Sequence, residues 1–125
     1  MNGGKVLIIE DSPTTRAVIK VYLVGHNLEF FEATNGADGI TLARTNRPSV
    51  MVVDLKMPGM DGFTLCRTIR SDPKLKDTPI ILLTGSKGDE IRREALAAGA
   101  THFMTKPIDG AGLAERILAC VERGK

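Results

Sequence analysis

The sequence predicts an α/β fold with a doubly wound, five-stranded parallel sheet and five helices. Short apolar runs alternate five times with segments of helical character along the chain. Three of the runs, residues 6–9, 50–53 and 80–83, are continuously apolar. Such runs are typical of strands that are covered on both faces, as in parallel sheets. Strands that alternate with helices are joined by right-handed crossovers, which place helices on both sides of the sheet.

The elements follow one another in a regular order. Predicted strands cover residues 5–10, 28–33, 49–54, 79–84 and 101–105, and predicted helices cover about 13–25, 36–46, 61–71, 88–98 and 110–122. The run at 28–33 is more polar than the others. We therefore expect this strand to lie nearer an edge of the sheet.

Local signals mark the ends of these elements. Ser12-Pro13 is typical of an N-cap followed by proline at the first helical position. Pro48 and Pro73 stop the second and third helices, and Pro79 leads into the fourth strand. Gly99 suits a left-handed cap after the fourth helix. Apolar positions in the first and fifth helices are, respectively, Ala17, Val18, Val21 and Tyr22, and Leu113, Ile117, Leu118 and Val121.

Length and composition indicate one domain over residues 1–125, with no linker or repeat. The net charge of +2, without a basic stripe interleaved with aromatics, gives no reason to expect nucleic-acid binding. No apolar run approaches the roughly 18 residues of a membrane span, and the N-terminus lacks a signal-peptide core. Cys66 and Cys120 are typical of reduced thiols, so we expect a cytoplasmic protein.

Polar side chains stand where four of the predicted strands end. Glu10 and Asp11 end the first strand, Asp54 the third, Thr84 the fourth, and Lys106 follows the fifth. In a parallel α/β sheet, functional groups gather beyond the carboxyl ends of the strands. We therefore expect these side chains to form one site.

Three carboxylates in one cleft favour a bound cation. Like charges raise one another's pKa unless a cation neutralises them. A cluster of oxygen ligands, with no His or Cys in these loops, favours Mg²⁺ over zinc. The alternative is structural: Asp11 or Ser12 caps the first helix and Glu10 is solvated. The acids by themselves do not decide between the two.

The loop after Asp54 favours a functional interpretation of that residue. Pro58, Gly59 and Gly62 would let backbone amides approach a ligand closely. Asp61 is most simply the N-cap of the third helix. The alternative for Asp54 is an aspartate that hydrogen-bonds its own turn.

Thr84 and Lys106 could both contact an anion above Asp54. The Thr84 hydroxyl could donate to it, and Gly85 leaves room for it; alternatively, Thr84 or Ser86 caps the fourth helix. The Lys106 ammonium could pair with a carboxylate or a phosphoryl oxygen, and a cis peptide bond before Pro107 could direct it inward. The alternative for Lys106 is a surface lysine.

Taken together, these strand ends resemble the receiver domain of two-component response regulators, most closely the single-domain chemotaxis type. The stretch at 54–62, DLKMPGMDG, is the most specific segment, and the resemblance covers about residues 4–123. It implies a flavodoxin-like sheet with strand order 2-1-3-4-5 and a site at the switch point between strands one and three.

The resemblance implies a role for each matching residue. Asp54 would be the phosphoacceptor. Mg²⁺ would be bound by Glu10, Asp11, Asp54 and the backbone carbonyl of Lys56. Thr84, with Gly85 beside it, would bind the phosphoryl group as the switch hydroxyl. Lys106 would pair with a phosphoryl oxygen, and Lys56 and Ser86 would tune the access of water during dephosphorylation.

Two positions depart from the commonest pattern of the family. Glu10 replaces an aspartate and lengthens one arm of the metal pair. Phe103 stands at the switch aromatic, which is often tyrosine, and offers no hydroxyl to a partner. His102 beside it is expected to be a surface residue rather than a phosphodonor.

The resemblance also implies partners. A histidine kinase or histidine phosphotransfer protein would supply the phosphoryl group. A separate output protein would recognise the surface of helix four, strand five and helix five, to which Arg92 and Arg93 contribute. We expect no direct contact with nucleic acid or membrane, and a monomer or phosphorylation-dependent dimer.

Two other functions compete with this one. An Mg²⁺-dependent phosphohydrolase with an aspartyl nucleophile typically has a second acid two residues later, where this chain has Lys56. We therefore expect that the chain is not an enzyme and that it catalyses only its own phosphotransfer and dephosphorylation. The second competitor is a receiver-like interaction module that never sees phosphate, against which the full set of site residues argues.

Overall fold

The structure is a computed structural model that describes residues 4–86 and 88–123. In this part of the chain, five parallel strands form one sheet in the order β2-β1-β3-β4-β5. The strands are β1 (Lys5–Ile9), β2 (Glu29–Ala33), β3 (Val50–Asp54), β4 (Ile80–Thr84) and β5 (His102–Thr105). The helices are α1 (Pro13–Tyr22), α2 (Gly36–Asn46), α3 (Gly62–Ser71), α4 (Asp89–Ala98) and α5 (Gly110–Arg123). The predicted fold class and strand order are confirmed, and the polar strand β2 lies at an edge.

Some predicted features fall outside this description. Residues 1–3 lie outside the described residues; they belong to the N-terminal segment that is expected to lack a signal-peptide core. Residues 87, 124 and 125 of the predicted single domain also lie outside them. Among the helices of the described part, none is long and apolar enough to span a membrane.

Two apolar layers enclose the sheet. Neighbouring residues of a strand point to opposite faces. Leu7 and Ile9 therefore join the layer covered by α2, α3 and α4, whereas Val6 and Ile8 join the layer covered by α1 and α5. Because β1 and β3 are covered on both sides, their continuous apolar runs follow from the architecture.

The apolar positions named for α1 do not form its buried face. Ile19 and Leu23 are buried, whereas Val18 and Tyr22 are well exposed and Val21 is 67% exposed. Residues four apart lie on one helix face, and the face that contacts the sheet is that of Ile19. The helix also ends at Tyr22 rather than near residue 25, with Leu23 as its C-cap.

The other local predictions are confirmed. Ser12 and Asp61 are the N-caps of α1 and α3, where their side chains accept hydrogen bonds from backbone N–H groups. Gly99 ends α4 at a φ of 109°. Cys66 and Cys120 are free, buried thiols, and burial raises the pKa of Cys66 to about 11.

Arg70, which the sequence patterns did not single out, connects α3 to the C-terminal end of α4. Arg70 on α3 donates from Nε to the carbonyl of Gly99 at 2.9 Å and from one terminal nitrogen to the carbonyls of Lys76 and Thr78 at 2.9 and 2.6 Å. The other terminal nitrogen lies 3.4 Å from Thr101 Oγ1. Burial lowers the pKa of Arg70. One side chain thus joins α3 to the C-cap of α4 and to the loop before β4.

We predict that Arg70→Ala lowers the free energy of unfolding by about 2–3 kcal/mol, because charge-assisted hydrogen bonds are lost and carbonyl groups are left without their donor. Arg67→Ala, an exposed arginine on the same helix, is the matched control and should change the free energy by less than about 0.5 kcal/mol. Urea unfolding followed by circular dichroism measures both. Equal losses in the two variants would contradict this role.

Candidate functional site

Three acids and a lysine meet at the carboxyl edge of the sheet. Asp54 is the last residue of β3, and Glu10 follows β1 directly. Glu10, Asp11 and Asp54 each offer a carboxylate oxygen, and these three atoms lie within 4.8 Å of one another. Lys106 Nζ lies 3.2 Å from Glu10 Oε1 and 3.1 Å from Asp54 Oδ1. The predicted convergence of these four side chains is present.

The acids differ in their exposure to solvent. Glu10 is 2% exposed and Asp54 is 6% exposed, whereas Asp11 lies on the surface. The alternative in which Glu10 is a solvated residue is therefore wrong. Burial raises the pKa of Glu10 and repulsion by Asp54 adds to the rise, although hydrogen bonds from the Ser12 N–H and from Lys106 oppose it. Burial alone would lower the pKa of Lys106, but its hydrogen bonds to Asp54 and Glu10 outweigh this effect and raise it.

The position of the site follows from the strand order. β1 pairs with β2 on one side and with β3 on the other. The chain therefore winds away from β1 in both directions, and the ends of β1 and β3 border the crevice of a doubly wound sheet. Register pairs Ile9 with Val53, so the residues that follow them, Glu10 and Asp54, lie side by side at the carboxyl edge of the sheet.

The loop between β3 and α3 is fixed by backbone contacts. The Leu55 N–H donates to the carbonyl of Leu83 at 2.8 Å, and the Gly62 N–H donates to the carbonyl of Leu55 at 2.8 Å. A Cβ atom on Gly62 would lie 2.9 Å from Leu55 Cα, so this close approach requires glycine. Lys56 is exposed beside this turn.

Thr84 lies at the end of β4 and is fully buried. Its Oγ1 accepts a hydrogen bond from the Ser86 N–H at 3.1 Å. The N-cap of α4 is Gly88, so the alternative in which Thr84 or Ser86 caps this helix is wrong. A Cβ on Gly85 would meet no atom within 4 Å, which leaves open space beside the threonine.

The β5 side of the site carries Lys106, Phe103 and His102. The Lys106–Pro107 peptide is cis, the Lys106 N–H donates to the carbonyl of Thr84 at 2.7 Å, and the ammonium points inward as expected. Phe103 is partly buried against the apolar layer that α2, α3 and α4 cover. Its register partner Leu82 lies in the same layer. His102 is half-buried on β5; burial and the nearby Arg116 and Arg123 lower its pKa.

One residue that the sequence patterns missed contacts the acidic cluster (Glu10, Asp11 and Asp54). A terminal nitrogen of Arg16 on α1 donates to the backbone carbonyl of Glu10 at 2.7 Å. A signal was present in the sequence. The N-terminal end of a helix disfavours cations, yet Arg16 lies close to that end of α1 and the first turn has no acid to pair with it.

Comparisons with known proteins agree with the geometry. The family description "Response regulator receiver domain" matches residues 6–118. The protein PilH of Pseudomonas aeruginosa is 33% identical over 116 residues, which cover 93% of this chain and 96% of that protein. The structure of the chemotaxis protein CheY4 of Vibrio cholerae has 30% identity and a TM-score of 0.85, and covers 93% of this chain and 97% of that one.

Longer relatives contain a matching segment. Response regulator PleD of Caulobacter vibrioides is 33% identical over 114 residues, or 91% of this chain, but the match spans only 25% of PleD. The match to the transcriptional regulatory protein AfsQ1 of Streptomyces coelicolor, at 38% identity, covers 96% of this chain and 52% of that protein. What these relatives share with this chain is the receiver segment, and on this evidence the chain belongs to the response regulator receiver domain family, the phosphoacceptors of two-component signalling.

Proposed function

We propose that Asp54 is the phosphoacceptor and that it takes a phosphoryl group from a phosphohistidine of a partner protein. The observation that carries this proposal is the position of Asp54 at the strand switch point, within 4.8 Å of two further acids and 3.1 Å from the Lys106 ammonium. A carboxylate in this position can act as a nucleophile, and a cation beside it can offset charge on the incoming group.

The acidic cluster fits Mg²⁺. The donors are carboxylate oxygens of Glu10, Asp11 and Asp54, the ligand type that this hard ion prefers, and the backbone carbonyl of Lys56 would complete the protein ligands. When bound, the ion offsets negative charge on the oxygens of the transferring phosphoryl group.

The residues of the chain would divide the transfer among them. An Asp54 oxygen attacks phosphorus; the new P–O bond forms as the P–N bond breaks, and the electron pair of that bond stays on the imidazole nitrogen. The product is an acyl phosphate. Lys106 pairs with a phosphoryl oxygen, and the Thr84 hydroxyl donates to another.

Removal of the phosphoryl group would follow by in-line attack of water on phosphorus. Lys56 is exposed and Ser86 is half-buried next to Thr84, so both would flank the path of this water. Because Lys56 occupies the place where an aspartyl phosphohydrolase typically has its second acid, the chain would act on its own phosphoryl group and on no free substrate.

Receiver domains interact with histidine kinases and downstream effectors. For this chain we propose a histidine kinase or histidine phosphotransfer protein as donor and a separate protein as the output partner, all in the cytoplasm and without direct contact to nucleic acid or membrane. The output face would consist of α4, β5 and α5. Arg92 and Arg93 are exposed on this face, and Leu96 is 49% exposed.

The acceptor can be identified by mass. Acetyl phosphate with Mg²⁺ should raise the intact mass of the wild-type protein by one phosphoryl group, and Asp54→Ala should abolish the rise because the nucleophile is gone. Asp61→Asn is the control, since it removes the next acid along the loop but keeps an oxygen that can cap α3. Labelling that persists in Asp54→Ala would show that another residue is the acceptor.

The switch can be followed with beryllofluoride as a phosphoryl mimic. A dianion at Asp54 shifts a conformational equilibrium only through groups that bind it differently in the two states. Thr84 is the candidate hydroxyl, since it ends the strand that pairs with β3. In the wild type we expect NMR shift changes across residues 85–108 as Thr84 moves toward the anion and Phe103 fills the space behind it. Thr84→Ala should still accept phosphate but lose these changes, whereas Thr84→Ser should retain them.

If residues 85–108 do not respond in the wild type while Asp54 is occupied, α4 and β5 are not the output face. Loss of the response in Thr84→Ser as well as in Thr84→Ala would show that the methyl group rather than the hydroxyl is needed.

A further inference from the structure

Arg16 connects the acidic cluster to the edge strand of the sheet. Its side chain is 17% exposed. One terminal nitrogen donates to the backbone carbonyl of Glu10 at 2.7 Å, and Nε donates to Glu32 Oε1 on β2 at 2.9 Å. Glu32 also accepts a hydrogen bond from Lys20 at 2.8 Å. The guanidinium therefore lies between the first acid of the site and a carboxylate on the neighbouring strand.

The backbone of Glu10 is held on both sides. Its N–H donates to the carbonyl of Ala33 at 3.0 Å, and its carbonyl accepts from Arg16. Because the peptide unit is planar, the direction of the Glu10 carbonyl fixes the direction in which the chain enters Asp11. Asp11 is exposed, so burial does not restrict its position.

The carboxylate of Glu10 is positioned by other groups. Oε2 accepts a hydrogen bond from the Ser12 N–H at 3.1 Å, and Oε1 accepts one from Lys106 at 3.2 Å. The contact from Arg16 is therefore not needed to orient this carboxylate. Its effect falls on the peptide between Glu10 and Asp11, and hence on the exposed acid of the cluster.

We propose that Arg16 is a positioning residue for the Mg²⁺ site, which it supports by fixing the Glu10–Asp11 peptide. This inference rests on the metal site put forward above. Its two possible effects on Mg²⁺ binding have opposite signs. As a charge, Arg16 repels a cation and its removal would tighten binding. As a positioning group it helps to align a ligand, and its removal weakens binding; loss of such outer contacts typically costs about 10–100-fold in metal affinity.

The test is the Mg²⁺ dissociation constant, measured by calorimetric titration well below the melting temperature. Arg16→Met keeps the aliphatic stem and removes the guanidinium, and we expect binding to weaken about tenfold. Lys20→Met is the matched control, because it removes a positive charge that pairs with the same Glu32. The Lys20 ammonium bonds to that carboxylate and not to the backbone of Glu10, so Mg²⁺ binding should stay within about twofold of the wild type or become tighter. Asp11→Ala gives the loss expected when a ligand itself is removed.

A second variant separates the shape of the guanidinium from its charge. Arg16→Lys keeps the charge but lacks the planar fork that spans two acceptors, so its dissociation constant should lie between those of the wild type and Arg16→Met. If Arg16→Met does not fold, as judged by NMR dispersion, Arg16→Lys carries the test, and a dissociation constant equal to that of the wild type would overturn the proposal.

The remaining outcomes are distinct. Unchanged or tighter binding in Arg16→Met would overturn the positioning role, and a lower melting temperature alongside it would show that Arg16 acts in stability instead. If the wild type itself does not bind Mg²⁺, the metal site fails, and the role of Arg16 fails with it. If the wild type binds Mg²⁺ and Arg16→Met binds it equally well, the metal site stands and the positioning role is excluded.

Discussion

The ion pairs of Lys106 with Glu10 and Asp54 are the interaction on which the site depends. Two carboxylates that are almost fully buried would be costly without a cation, because burial removes the water that solvates them. The ammonium lies 3.2 and 3.1 Å from them and is itself about one-third exposed. The sheet makes this possible, because its strands are parallel and the carboxyl ends of β1, β3 and β5 therefore lie at one edge. A cleft with three acids and one lysine stays anionic overall, which suits the binding of a further cation.

The residues of the site are held by the buried sheet, whereas the neighbouring helix α4 has less packing to support it. Glu10, Asp54 and Thr84 follow or end strands of the buried sheet. By contrast, α4 buries only the small side chains of Ala95 and Ala98, and its N-cap makes no side-chain hydrogen bond. The fifth helix buries larger groups, including Leu113 and Ile117. Elements with few buried apolar contacts open and shift at low cost, so the proposed output face lies where the fold resists movement least.

The local features and the meeting of the polar strand ends at one edge of the sheet could be predicted from the sequence. Asp54 and Thr84 could be placed because each ends a continuous apolar run, and Asp61 because capping is local. The burial of single side chains and their individual contacts across the fold were harder to foresee. The burial of Glu10 depends on Lys106 and on β3, and the contacts of Arg70 depend on the path of the chain some thirty residues later. The buried face of α1 could not be predicted, because apolar residues surround much of the helix and only packing against the sheet selects Ile19.

The most direct test of the central charge balance is the effect of Mg²⁺ on the melting temperature of Lys106→Met. Without the ammonium, Glu10 and Asp54 lack their cation, so Mg²⁺ should relieve more repulsion in this variant than in the wild type. We predict that a fixed millimolar concentration of Mg²⁺ raises the melting temperature of Lys106→Met by more than it raises that of the wild type, while Lys76→Met, an exposed lysine remote from the site, behaves like the wild type. An equal or smaller rise in Lys106→Met would contradict the view that Lys106 and the metal ion offset the same buried charges.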